Sequence, residues 1–186
     1  MMKKRNLLFF SLQMYICLAF ALFCACTPAT DDLYARYPAR FSVQYVSTIP
    51  ELSAALNGYG EFATILYKNN YFYYSNQKTT TEVPRKATDQ GFMMGVSGFI
   101  VGRSNMPELG SDQYPIMCYD LACPNCFDAD NVAKNLILRD GGFVSCLRCG
   151  RTYNLNNQGI ISDGEDGLKL YRYRATYSGS SFSIRN

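Results

Sequence analysis

Two Cys-x-x-Cys pairs constrain this chain more than any other feature: Cys123 and Cys126 in "CPNC", and Cys146 and Cys149 in "CLRCG". A Cys-x-x-Cys turn points both sulfurs to one side, with backbone amides aimed at them. Two such knuckles facing each other make a tetrahedral four-sulfur cage of the kind that holds zinc. Pro124 stiffens the first turn, and Gly150 permits the positive φ that closes the second. Zinc and iron both accept four thiolates. We expect zinc on Cys123, Cys126, Cys146 and Cys149, with iron, as a single ion or a [2Fe–2S] cluster, as the alternative. Disulfides between the same loops are the competing arrangement in an oxidising compartment.

The first residues, "MMKKRNLLFFSLQMYICLAFALFCACTPATDD", say which compartment that is. Lys3, Lys4 and Arg5 precede an apolar run from Leu7 to Phe23, broken only by Ser11 and Gln13. That is the anatomy of an export signal. The run is slightly short of the roughly 20 apolar residues a spanning helix takes. The region resembles a bacterial lipoprotein signal, which is cut just before a cysteine that then receives lipid. Small Ala25 precedes Cys26, whereas bulky Phe23 precedes Cys24, so Cys26 is the expected lipidation site. Residues 1–25 are then a signal peptide, 26–39 a polar tether, and 40–186 one β domain. The expected address is the bacterial cell envelope, periplasmic or surface-exposed. There the mature protein is anchored to a membrane without spanning it.

Charge narrows the partners. The formal +3 equals Lys3, Lys4 and Arg5, and the remainder balances 15 basic against 15 acidic side chains. A neutral mature domain has no global field for nucleic acid, so none is expected as a partner. The membrane, through the lipid, and an unidentified envelope protein are the expected partners.

Tyrosine, phenylalanine, glycine and threonine dominate the rest, as in strands and tight turns. "RFSVQYV" (40–46) alternates apolar and polar residues. "TIPELSAALN" reads as one short helix, with Thr48 as N-cap and Leu52, Ala55 and Leu56 on one face. A hairpin over 63–76 turns at Lys68-Asn69-Asn70, and its aromatics Tyr71 to Tyr74 alternate between core and surface. "TTTEVPRKATDQ" reads as a loop or sheet edge. "GFMMGVSGFIVGRS" (91–104) fits neither phosphate-loop spacing and reads as a bulged strand crossing a tight barrel. "SDGEDG" lacks the ligand ladder of a calcium loop and reads as a turn. A last hairpin closes around Ser178-Gly179-Ser180. The expected fold is all-β, a small antiparallel barrel or sandwich with one short helix.

From Cys146 onward, "CLRCGRTYNLNNQGIISDGEDGLKLYRYRATYSGSSFSI" is similar to the second half of a Rieske-type domain. That family shows a Cys-x-x-His-Gly knuckle, an aromatic and a polar residue, a glycine, a Leu-x-x-Tyr strand and a final hairpin. Cys146, Cys149, Gly150, Tyr153-Asn154, Gly159, Leu168 and Tyr171 stand at those places. The family's upstream Cys-x-His falls on Cys118-Tyr119-Asp120 or on Cys123-Pro124-Asn125. The resemblance covers 118–184 and reaches back toward Arg40. It implies the Rieske all-β fold, with a rubredoxin- or zinc-ribbon-like metal subdomain within 118–155.

The departure from the family governs the chemistry. A Rieske cluster binds one iron through two imidazoles, and this chain has no histidine. Cys149 stands where one imidazole would be, and Asp120 or Asn125 where the other would be. Four thiolates are enough for a plant-type [2Fe–2S] cluster, but both cysteine pairs have knuckle spacing, so a single metal ion is expected. Without histidine, no Cys-His or Ser-His pair can be assembled, so a non-enzymatic protein is expected. Electron transfer by an iron centre on the four thiolates and thiol–disulfide exchange are the alternatives. Cys118 is left over, as a buried small hydrophobe or a fifth ligand.

Overall fold

The structure, a computed structural model, describes residues 33–107 and 110–186. The signal segment 1–25 and the cysteines at 24 and 26 lie outside the described residues. Among the described residues, no helix is long and apolar enough to cross a membrane.

A central five-stranded sheet organises the domain. In spatial order it runs β4 (Thr80–Pro84), β3 (Tyr71–Ser75), β2 (Phe62–Lys68), β6 (Phe99–Arg103) and β7 (Ile116–Asp120), all antiparallel. Its β2–β3 hairpin turns at Asn69-Asn70, both with positive φ, the conformation that suits a two-residue hairpin loop. Phe72 and Tyr74 are buried while Tyr71 is exposed, so the aromatic run alternates as expected. The TTTEV stretch forms the sheet's outer strand, ending at Pro84, which cannot donate to a further neighbour.

Both faces of this sheet are covered, and side-chain parity assigns each residue to a face. Ile65, Phe72, Tyr74, Phe99, Val101 and Cys118 face one core. That core also takes α1 (Pro50–Asn57), through Leu52 and Leu56. It is closed by a second antiparallel sheet, in the order β12 (Arg174–Tyr177), β13 (Phe182–Arg185), β1 (Ala39–Val43), β5 (Met93–Met94). Phe62, Ile100, Met117 and Tyr119 face the opposite way, into a core shared with Val144, Tyr153 and Leu155. Those belong to a third antiparallel sheet and its margin, in the order β11 (Ile160–Asp163), β10 (Thr152–Asn154), β9 (Phe143–Ser145), β8 (Ile137–Arg139). This small sheet carries the second cysteine knuckle.

The all-β expectation holds at this level, with three corrections. There is no closed barrel. The expected bulged strand over 91–104 is two strands, β5 and β6, lying in different sheets on either side of a tight corner. Gly95 and Gly98 hold that corner at positive φ. A Cβ at Gly95 would lie 2.4 Å from a carboxylate oxygen of Asp120, and one at Gly98 would lie 2.5 Å from the Ile65 carbonyl oxygen. Side-chain atoms have no room there, so the chain turns instead of bulging.

The helix expectation also changes. Thr48 does not cap α1; it ends a short 3-10 turn, its hydroxyl on the Tyr45 carbonyl at 2.8 Å. Pro50 starts α1 instead, its fixed φ suiting the first helical position. A second helix, α2 (Pro124–Asp130), was not expected. Pro124 sets it going in the same way, and Asn131 at positive φ stops it.

The residues ahead of β1 pack on the domain. Ala35 donates its amide to the Arg172 carbonyl at 2.8 Å. Tyr37 meets Phe127 and Tyr171 edge-on. Tyr34 lies beneath the guanidinium of Arg174, 4.1 Å from its ring centre.

Candidate metal centre

The two knuckles arise from different local structures. In the first, Cys123 caps α2 and Cys126 sits one turn in, so i, i+3 spacing brings both sulfurs to one side of the helix start. In the second, the chain leaves β9, turns through Cys146 to Cys149, and re-enters β10. Gly150 has the expected positive φ of 74° and donates its amide to the Cys146 carbonyl at 2.9 Å. Cys146 in turn donates its amide to the Arg151 carbonyl at 2.9 Å. Arg148 of the second knuckle pairs with Asp130 of α2, which ties the two halves together.

The four sulfurs converge. Cys123 Sγ lies 3.7 Å from Cys149 Sγ, and Cys126 Sγ lies 3.6 Å from Cys146 Sγ. All four ligand atoms lie within 4.8 Å of one another. Four sulfurs around one ion at about 2.3 Å stand ~3.8 Å apart in a regular tetrahedron. The donor set and the spacing therefore fit a single metal ion. All five cysteines of the described residues are free thiols.

Hydrogen bonds prepare the sulfurs unequally. Asn125 exchanges two hydrogen bonds with the Leu168 backbone, accepting its amide and donating to its carbonyl, each 2.9 Å. This fixes the amide, whose nitrogen also donates to Tyr153 Oη at 2.8 Å. Tyr153 Oη therefore acts as acceptor toward Asn125, and its own proton is left for Cys123 Sγ, 3.3 Å away. Burial pushes the Cys123 thiol up, against the pull of Tyr153 and the Cys126 amide. Burial pushes Cys126 up as well, reinforced by the neighbouring thiols of Cys146 and Cys123. Cys149 is different. Burial again raises it, but the Arg151 amide and guanidinium outweigh that and bring it down to about 7. Cys149 is also the only ligand candidate that is not fully buried.

Asp120 and Asn125 have separate tasks. Asn125 holds the sulfur-directed phenol of Tyr153. Asp120 faces away from the cage and accepts four hydrogen bonds: from Val96 N (2.7 Å), Ser97 N (3.3 Å), Ala122 N (2.8 Å) and Tyr173 Oη (2.7 Å). Burial raises its pKa above the ordinary carboxylate value, and these four donors pull against that rise. Cys118 stands one strand position from Met117 and Tyr119 and so faces the opposite core, away from the sulfurs. It is packed as a small hydrophobe.

Arg151 was not singled out by the sequence. It follows Gly150 directly, so a cation beside the last thiol was the available signal. Its guanidinium donates to the Glu165 carbonyl at 2.8 Å and to the Asp166 carbonyl at 3.2 Å, and it pairs with the Glu165 carboxylate at 3.2 Å. The SDGEDG segment, expected as a turn, begins as the end of β11 and bends only from Gly164, clamped to the second knuckle by Arg151.

Fold and site together define a three-sheet, mainly β protein with a four-cysteine site able to hold a metal ion. No family model, curated protein or solved structure matches the chain.

Proposed function

We propose that this is a lipid-anchored cell-envelope protein of Rieske-like fold whose four cysteines hold one structural zinc ion. The observation that carries the metal is the mutual approach of four sulfurs to within 4.8 Å. A two-iron cluster splits its thiolates between two metal atoms, two on each, and so sets the pairs apart. Four sulfurs crowded around one point favour a single ion. The Rieske-like reading is supported by the motif order from Cys146 to Ile184 and by a small cysteine-bearing sheet packed on a larger β body. The missing histidines set the chain apart from the redox members of that family. Zinc has no redox chemistry, and on this reading it staples α2 to the turn between β9 and β10.

The non-enzymatic reading rests on the absence of histidine and on the enclosed sulfurs. Anchoring rests on the N-terminal pattern ending at Cys26. Elemental analysis and a visible spectrum of natively purified protein test the centre. One zinc per chain and no visible band are expected. A band that bleaches on reduction would instead establish an iron centre for electron transfer, for which Tyr153 and the part-exposed Cys149 would be suited.

A further inference from the structure

The outer face of the sheet β12-β13-β1-β5 carries a row of arginines. Arg40 of β1 is paired in register with Arg185 of β13, which is paired with Arg174 of β12. All three are exposed, on the face opposite the buried Phe41 and Ile184. Like charges directly opposite on neighbouring strands are destabilising. None of the three forms a salt bridge: the two among the described residues involve Arg148 and Arg151 instead. The next row on this face is Thr176, Ser183 and Ser42, hydroxyls with no charge. Beyond Arg40, its register partner Met93 is 49% exposed. A face of three guanidinium groups, three hydroxyls and a protruding thioether, costly when alone, fits phosphate oxygens bordering an apolar layer.

We propose that this face docks on an anionic phospholipid surface. The inference rests on the lipid-anchored reading above, and chain geometry joins the two. Tyr34 stacks under Arg174, which places the entering chain at one end of the arginine row. Tyr34 follows Cys26 by only eight positions, a reach of at most about 28 Å. A lipid on Cys26 holds this side of the domain within that distance of the headgroups. Each arginine near such a surface contributes about a five-fold preference, so three give on the order of a hundred-fold. The attraction fades over a Debye length, about 8 Å at physiological salt.

The test uses the full chain, purified with its native N-terminus and mixed with vesicles of phosphatidylcholine alone or with a third phosphatidylglycerol. Arginine-directed modification read by mass spectrometry reports on Arg40, Arg174 and Arg185. Modification at least ten-fold slower on the anionic vesicles, and restored by about 1 M salt, is the expected result. The triple variant Arg40→Glu/Arg174→Glu/Arg185→Glu should lose the preference with unchanged metal content. The matched control Lys68→Glu/Lys78→Glu/Lys169→Glu should keep it. Binding to both vesicle types without differential protection overturns the docking face and leaves the anchor standing. Binding to anionic vesicles alone supports the face while removing the anchor. Binding to neither overturns both and points to an acidic protein surface as the partner.

Discussion

Among single residues, Tyr153 shows how a side chain outside the metal's own ligands can matter. Its phenol is aligned by Asn125, and Asn125 by the Leu168 backbone, so one proton is directed at Cys123 Sγ. A thiolate that accepts such a bond is better held in its charged, metal-binding form. Tyr153→Phe should keep the fold, because the ring stays in its buried place, and should lower metal affinity by roughly ten-fold. Competition with a chromophoric chelator measures this; an unchanged affinity would mean the phenol serves packing only. The sequence marked Tyr153 as a motif position, but nothing in it pairs Tyr153 with Asn125. That pairing needs α2 and β10 side by side, an arrangement made by contacts between distant segments.

At the scale of elements, the cage joins α2 to the β9–β10 turn, alongside the Arg148–Asp130 ion pair and the bonds of Asn125 to Tyr153 and Leu168. Cys146→Ser should release the metal and loosen the small sheet first, because ligand binding and folding of these loops are one equilibrium. Amide hydrogen exchange should then quicken in β8 to β11 while β2, β6 and β7 keep their protection. Cys118→Ala, in the opposite core, should leave metal content intact and cost about 1 kcal/mol for the lost packing. Loss of metal from the Cys118 variant would show that the ligand set is wrong. The second helix falls outside the one-helix expectation for a physical reason. Its seven residues are too few to show a 3.6-residue period, and its start is set by Pro124 and the convergence of two sulfurs.

Across the whole molecule, Asp120 ties separate parts together. It receives the β5–β6 corner through Val96 and Ser97, the approach to the first knuckle through Ala122, and the lead into β12 through Tyr173. Its pKa is raised in the folded state, mainly by burial. Between the unfolded carboxylate value of about 3.9 and the higher folded value, the native state therefore holds more protons than the unfolded chain. This contribution to stability is complete below the unfolded value and is lost as pH rises through the folded one. Chemical denaturation across that window should show the decline, and Asp120→Asn should flatten it. The same variant leaves backbone donors facing an amide NH2, so it should lose roughly 3 kcal/mol at neutral pH. A variant as stable as the parent, with the same pH profile, would remove Asp120 from this role.

Much was legible in the residues alone because it is local. Strand alternation, the Asn69-Asn70 turn, the closing hairpin and the knuckle spacing each involve neighbours a few positions apart, where backbone sterics and side-chain parity decide. The sequence thus determined a mainly β chain with two cysteine turns able to share an ion. Tertiary structure alone decided that the strands form three sheets without closing a barrel, and that Cys118 faces away from the sulfurs. It also set Arg40, Arg174 and Arg185 in one row. Each of these depends on contacts between segments far apart in the chain, and the equal numbers of basic and acidic side chains beyond Arg5 hide a cationic face that only strand register can assemble.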